Sequence, residues 1–228
     1  STIEHLMAVF YGEGIDNVIV EVDAPEIPIM DGSSFDFVTA IRSFGTKEQK
    51  FEKKFIKVLK KTEVKDGEKY ISIEPLEKDL IIDFEIVYKN PLIRTRRKEF
   101  KLSNGDLTSI YNSKTFCLYE DIDKIKTQGL AKGGSLENAI VVKENKILNE
   151  DGIRYRDEFV ILDCLGDLML AGYRIFGHIK TSQGGHQLTN TLLNKFLSDK
   201  SNWAFEGFSN NQKEAKDSKY SRPLAVNA

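Results

Sequence analysis

A chain of 228 residues, 40% apolar and 30% charged, can bury one good core or two small ones and has the composition of an ordinary globular protein. A formal net charge of −2 gives no electrostatic case for nucleic acid or a membrane surface as the main partner, and no apolar run approaches the ~20 residues of a spanning helix. Cys117 and Cys164 make neither a disulfide framework nor a Cys-x-x-Cys pattern, and with no secretory signal a reducing cytoplasm is expected.

The chain begins without Met, inside a helix cap, which points to an N-terminal truncation. Ser1 or Thr2 caps a short helix to about Tyr11, stopped by Gly12 and Gly14. Asn17 to Asp23 alternates apolar and polar residues as a half-buried strand does. Two prolines and an Asp-Gly make Ala24 to Ser33 an ordered loop. Phe35, Val38 and Ile41 at helical spacing predict a helix over Ser34 to Phe44, and the charged run from Gly45 to Lys54 reads as a linker.

A second unit comes next. Phe55 to Val64 and Lys69 to Glu74 flank Lys65-Asp66-Gly67-Glu68, a hairpin signal. Leu80 to Tyr88 is a strand, and Thr95 to Leu102 is an edge strand guarded by Arg and Lys. Short helices are expected at Leu107 to Tyr111 and Asp121 to Thr127, and a short strand at Ala139 to Val142. Glu158 to Ala171 is the strongest helix, Ile175 to Thr181 a strand, Leu188 to Leu197 a closing helix, and the polar chain from Ser198 a loosely held tail. Few βαβ crossovers are visible, which favours α+β layers over a doubly wound parallel sheet.

Several residues carry chemistry. Glu4 and His5 have two readings: Ser1-x-x-Glu4 as a capping box, or His5 as a metal ligand with Glu4 taking a proton from water. Asp163 and Asp167, four apart, share a face of a very apolar helix. They lie at its exposed edge, or Asp163 binds a metal and Asp167 orients a histidine. His186 follows Gly184-Gly185 in a turn and is either an ordinary loop histidine or a general acid. The Thr115 hydroxyl could donate to an oxyanion or serve only a local hydrogen bond. Lys132-Gly133-Gly134-Ser135 lacks P-loop spacing, and His178 receives no role.

STIEHL, GIDNVIVEVDAPEIPIMDGSS, KTFCLYEDI, GLAKGGSLENAIVV, LNEDGIRYRDEF, LDCLGDL and GGHQLTN occur in this order. Through them the chain resembles the zinc-dependent UDP-3-O-acyl-N-acetylglucosamine deacetylases of Gram-negative bacteria, over nearly its whole length to about Leu197. The resemblance implies an α+β fold: a two-domain, layered β-α-α-β sandwich with the site between the domains. Residues 1–46 would then be an incomplete first domain, too short to bury a core alone. Residues 53–200 would be the second domain, with a small acyl-passage insert near 116–142 starting at Phe116, and 201–228 a polar tail. It further implies His5 and Asp163 as zinc ligands, Glu4 as general base, His186 as general acid, Asp167 as its orienting partner and Thr115 as oxyanion donor, with Phe116 lining the acyl passage. The implied partner is a UDP-linked acylated amino sugar, hydrolysed early in lipid A synthesis by a cytoplasmic monomer holding one Zn2+. Imidazole and carboxylate ligands suit Fe2+ as well.

One departure has a physical consequence. Relatives carry Arg-His-Lys between the residues that correspond to Val160 and Ile161, and that histidine is their second zinc ligand. Here Phe159 stands four residues before Asp163. Losing three residues turns the upstream part of the helix by about 60° relative to the downstream part. Asp157 and Glu158 have poor helical phase as substitutes, and Asp167 would have to abandon His186. Two ligands where a catalytic zinc wants three predict weak zinc binding and poor turnover, and leave a non-catalytic remnant as the alternative to the enzyme.

Overall fold

The computed structural model describes residues 3–88, 90, 92–93, 95–122, 127, 133–149 and 158–208. Two helices come first, α1 (Glu4–Glu13) and α2 (Phe35–Phe44). After them come strands β1 (Lys53–Val58), β2 (Thr62–Asp66), β3 (Lys69–Glu74), β4 (Leu80–Ile86) and β5 (Arg96–Lys101), and a short helix α3 (Thr108–Tyr111). Three small strands, β6 (Phe116–Leu118), β7 (Ile140–Lys143) and β8 (Lys146–Ile147), form a separate sheet in that order. The chain continues through α4 (Phe159–Met169), β9 (Ile175–Ser182), α5 (His186–Ser198) and β10 (Trp203–Phe208). The mixture of segregated helices and sheets is the α+β class expected from the sequence.

Strand β9 is the axis of the seven-stranded sheet. One edge pairs in parallel with β4, which in turn pairs with β5. Its other edge forks: Ile175 and Phe176 pair with β1, while His178 to Ser182 pair with β3. Gly177 stands at the fork, where a Cβ would come within 2.8 Å of Val58 Cγ2 and 3.3 Å of the Glu74 carbonyl. Alternation along β9 and its neighbours buries Ile71, Ile73, Ile82 and Ile179 completely. Helix α5 covers β2 and β3, and α4 covers β4.

Helix α4 is itself covered on its far side by α1. That explains why every residue from Phe159 to Met169 except Asp163 is buried: the helix is packed all round, as its nearly unbroken apolar sequence requires. Each large aliphatic side chain buried this way contributes on the order of 1.5–3 kcal/mol. Tyr11, fully buried in α1, accepts from the Ile175 N–H at 2.9 Å and donates to the Ile175 carbonyl at 3.1 Å. The N-terminal residues thus find their core against the unit C-terminal to them.

Four expectations are corrected. Asn17 to Asp23 forms no strand; Val18, Ile19, Val20 and Val22 are exposed. Alternation is a pattern for pairing, and no neighbouring strand meets this segment among the described residues. The run from Phe55 to Val64 is two strands, with β1 leaving to pair with β10 and β9 while β2 turns at Gly67-Glu68 into β3. The tail is not loose throughout: Trp203–Phe208 pairs antiparallel with the whole of β1. Aromatic residues at Trp203, Phe205 and Phe208 were the missed strand signal. The first helix is not stopped at Gly12; it runs to Glu13 and ends at Gly14, where φ is 70°. Ser1 and Thr2, the expected caps, the centre of the helix expected at Asp121 to Thr127, and the tail from residue 209 lie outside the described residues.

Candidate active site

The start of α1 lies across the middle of α4. The approach depends on Gly166: a Cβ there would stand 2.1 Å from the Glu4 carbonyl oxygen and 2.8 Å from Glu4 Cα. Ser34, fully buried before α2, donates its hydroxyl to the His5 carbonyl at 2.7 Å and ties down the same turn. Sequence reasoning missed both residues. The glycine inside an apolar helix run was the available signal for Gly166, since a helix-interior glycine costs about 1 kcal/mol against alanine and so calls for a reason such as packing.

The docking brings His5 Nε2 to 3.7 Å from Asp163 Oδ1, across 158 positions of sequence. His5 is 2% exposed, and burial lowers its pKa against the smaller opposing influences of Glu4 and the Ser33 backbone. Its Nδ1 is shut off from water without a well-formed hydrogen bond. Asp163, partly exposed, is pushed up to about 7, first by the desolvation of its carboxyl, then by the negative charges of Glu4 and Asp167, with His186 opposing the rise. A neutral imidazole thus faces a carboxyl that resists ionising.

One helical turn along α4, Asp167 is buried and receives His186 Nδ1 at 2.8 Å on Oδ1 and 3.0 Å on Oδ2. His186 is the first residue of α5, not a loop residue as expected from the glycines before it. A helix N-terminus disfavours a cation. The hydrogen bond that Nδ1 donates to Asp167 outweighs that and desolvation, raising the His186 pKa to about 9, with Asp163 and Glu4 adding to the rise. At neutral pH His186 is therefore a charged donor with Nδ1 committed to Asp167. Asp167 is engaged with His186 and is not among the groups whose ligand atoms converge with those of His5 and Asp163, while Glu158 is paired with Lys98 at 2.9 Å.

A cleft opens over these carboxylates, lined by Phe84, Ile86, Tyr88 and Phe159 together with Asp163 and Asp167. Phe116 packs edge-on against Tyr88 and Phe159, at ring separations of 5.5 and 4.8 Å. Thr115 precedes it, its N–H donating to the Gly32 carbonyl at 3.2 Å and its carbonyl accepting from Ile140 at 2.9 Å. Thr115 is thereby held against the loop that carries Ser34 and, through it, His5. No hydrogen bond joins its hydroxyl to the other site residues among those described.

The donor set suits a divalent cation. Glu4, His5 and Asp163 each offer a ligand atom within 4.8 Å of the others. Two ligands at roughly 2.0–2.2 Å around a tetrahedral ion sit about 3.4 Å apart, close to the spacing of His5 and Asp163. A divalent charge would also reverse the penalty on ionising Asp163. No second imidazole joins the group among the described residues, and Phe159 stands one turn before Asp163 as the sequence implied.

A family model described as UDP-3-O-acyl N-acetylglycosamine deacetylase matches residues 1–198. The UDP-3-O-acyl-N-acetylglucosamine deacetylase of Haemophilus ducreyi is 41% identical over 218 residues, covering 93% of this chain and 71% of that protein. The proteins of the same name from Shewanella violacea and Pasteurella multocida are 44% and 42% identical. They are matched over 91% and 99% of this chain and over 70% and 75% of their own lengths. With likeness of this extent, the chain belongs to the UDP-3-O-acyl N-acetylglycosamine deacetylase family.

Proposed function

We propose that this chain hydrolyses the N-acetyl amide of a UDP-linked, 3-O-acylated glucosamine, the deacetylation that its relatives' name describes, as an early step of lipid A biosynthesis. The observation that carries the reading is the convergence of His5 and Asp163 at 3.7 Å beside the Asp167–His186 pair, in a chain of that family. Close likeness to named deacetylases favours the enzyme over a non-catalytic remnant. Zinc, one per chain, is the proposed metal, and Fe2+ suits the same ligands. The enzyme acts as a monomer in the cytoplasm on this reading; no described helix is long and apolar enough to cross a membrane.

His5 and Asp163 would hold the ion, which when bound would polarise the amide carbonyl and acidify water. Glu4, beside His5 in the first turn of α1, accepts the proton as water attacks the carbonyl carbon. Thr115 donates its hydroxyl to the carbonyl oxygen as negative charge develops there. His186, with Nδ1 bound to Asp167, keeps Nε2 for the substrate and gives its proton to the departing amine. Acetate and the free amino sugar are the products. The apolar lining from Phe84, Tyr88 and Phe159, backed by Phe116 and the small sheet behind it, suits an acyl chain.

Release of labelled acetate from UDP-3-O-acyl-N-acetylglucosamine tests the reading. His186→Ala should lower turnover by about 10²–10⁴-fold with metal content unchanged. No acetate from the parent chain would refute the activity, and metal loss in the variant would refute the role given to His186.

A further inference from the structure

The outer face of the large sheet holds a second group of donors, remote from the cleft in the sheet's layering. Asp83 on β4 and Glu99 on β5 are direct cross-strand partners. His178 on β9 is paired with Ile81, one step diagonal to Asp83 on the same face. This face is opposite to the one that carries Ile82, Phe84, Ile179 and Thr181 toward the helices. One ligand atom from each of Asp83, Glu99 and His178 lies within 4.8 Å of the other two.

The satisfaction of these groups is uneven. His178 Nε2 is sealed from water and has no hydrogen-bond partner. A buried ring nitrogen left in that state has lost its hydrogen bond to water with nothing in exchange unless something binds it. The Glu99 side chain has no ion pair or hydrogen bond among the described residues. Asp83 is 5% exposed and takes both of its oxygens to Arg97, Oδ1 accepting from Nε at 2.6 Å and Oδ2 from Nη2. A carboxylate has about four lone-pair sites, so each oxygen retains one after that contact. Arg97 is 68% exposed and can swing aside. Lys180, the other cation nearby, is drawn to Glu74 at 2.7 Å.

We propose that Asp83, Glu99 and His178 bind a borderline divalent transition cation, of the zinc, cobalt(II) or nickel(II) type, which clips β4, β5 and β9 together. One imidazole and two carboxylates favour such an ion over magnesium or calcium, which prefer all-oxygen sites. The ion would satisfy the orphaned imidazole, engage the idle Glu99 and tie the exposed edge strand β5 to the axis of the sheet. Drawing donors that already lie within 4.8 Å of one another into a shared coordination sphere takes side-chain movement only, since Glu99 and Arg97 are exposed.

Equilibrium dialysis of the full chain against cobalt(II), with elemental analysis of the product, tests the site. His178→Gln and, separately, Glu99→Gln should each bind one equivalent fewer than the parent; Glu99 is an exposed edge residue whose replacement leaves the fold intact. Cobalt(II) should broaden amide resonances of β4, β5 and β9 in the parent and equally in His5→Ala. Unchanged stoichiometry in Glu99→Gln, or broadening that disappears with His5→Ala, would overturn the proposal. Both readouts are independent of acetate release, so failure of the deacetylase reading would leave this result standing.

Discussion

Replacing Gly166 by Ala probes the contact on which the whole site depends. The added methyl would begin 2.1 Å from the Glu4 carbonyl oxygen, 2.7 Å from its carbon and 2.8 Å from Cα, all of them backbone atoms. No rotamer change relieves such a contact, so α1 must withdraw from α4 by about 1 Å before the methyl fits. In an unobstructed helix the substitution would gain about 1 kcal/mol of helix propensity. Overpacking of this kind costs about 1–3 kcal/mol, and the tightness of this contact puts the cost at the upper end, leaving a net loss of ~1–2 kcal/mol. The effect on chemistry should be larger, because the same shift parts His5 and Glu4 from Asp163. A displacement of ~1 Å can cost about 10²-fold in rate. Urea denaturation gives the first quantity and acetate release the second, with Gly133→Ala as control, since a Cβ at Gly133 meets nothing within 4 Å. If Gly166→Ala matches the control in stability and turnover, the argument that this glycine sets the site is wrong.

The charges of the site dictate three further outcomes. His186, raised to about 9 by Asp167, stays protonated at neutrality, so turnover should decline as pH rises through about 9. In Asp167→Asn the decline should move toward ~6.5, and an unmoved limb would remove Asp167 from the account. The stability that this pair gives the fold is complete below ~6.5 and is lost as pH rises through about 9. Asp163 also has a raised folded-state pKa, so in the metal-free protein raising the pH from about 4 through 7 draws stability away. Asp163→Asn escapes that loss and should be more stable than the parent above pH 7 by ~1–3 kcal/mol in chemical denaturation; equal or lower stability would contradict the burial argument. Finally, with one imidazole among Glu4, His5 and Asp163, metal at the cleft should be lost on dialysis and turnover should be poor. A tightly held equivalent that vanishes in His5→Ala would show that this donor set suffices.

Local pattern made much of this protein legible. The two-residue turn at Gly67-Glu68, the charged edge strand β5 and the apolar helix α4 all obey rules that act over a few residues. The order of the motifs identified the family and, with it, the catalytic candidates Glu4, His5, Thr115, Asp163, Asp167 and His186. Propensity could not reveal that Asn17 to Asp23 would remain unpaired, because a strand exists only in its ladder. Nor could it reveal that Trp203–Phe208 would close the sheet on β1, a partner some 150 residues earlier. His178 was passed over for the same reason: its significance lies in two carboxylates on neighbouring strands, and register decides which side chains meet.

The amino-acid sequence by itself determined the α+β class, the helical and strand periods and the identities of the reactive groups, because those depend on residue type and near-neighbour spacing. Tertiary structure alone decided that His5 and Asp163 would face each other and that Asp167 would charge His186. It also decided that Gly166 would be the point where α1 and α4 touch. These are contacts between distant segments, and their distances, burial and shifted pKa values come into being only when the chain excludes water from between them.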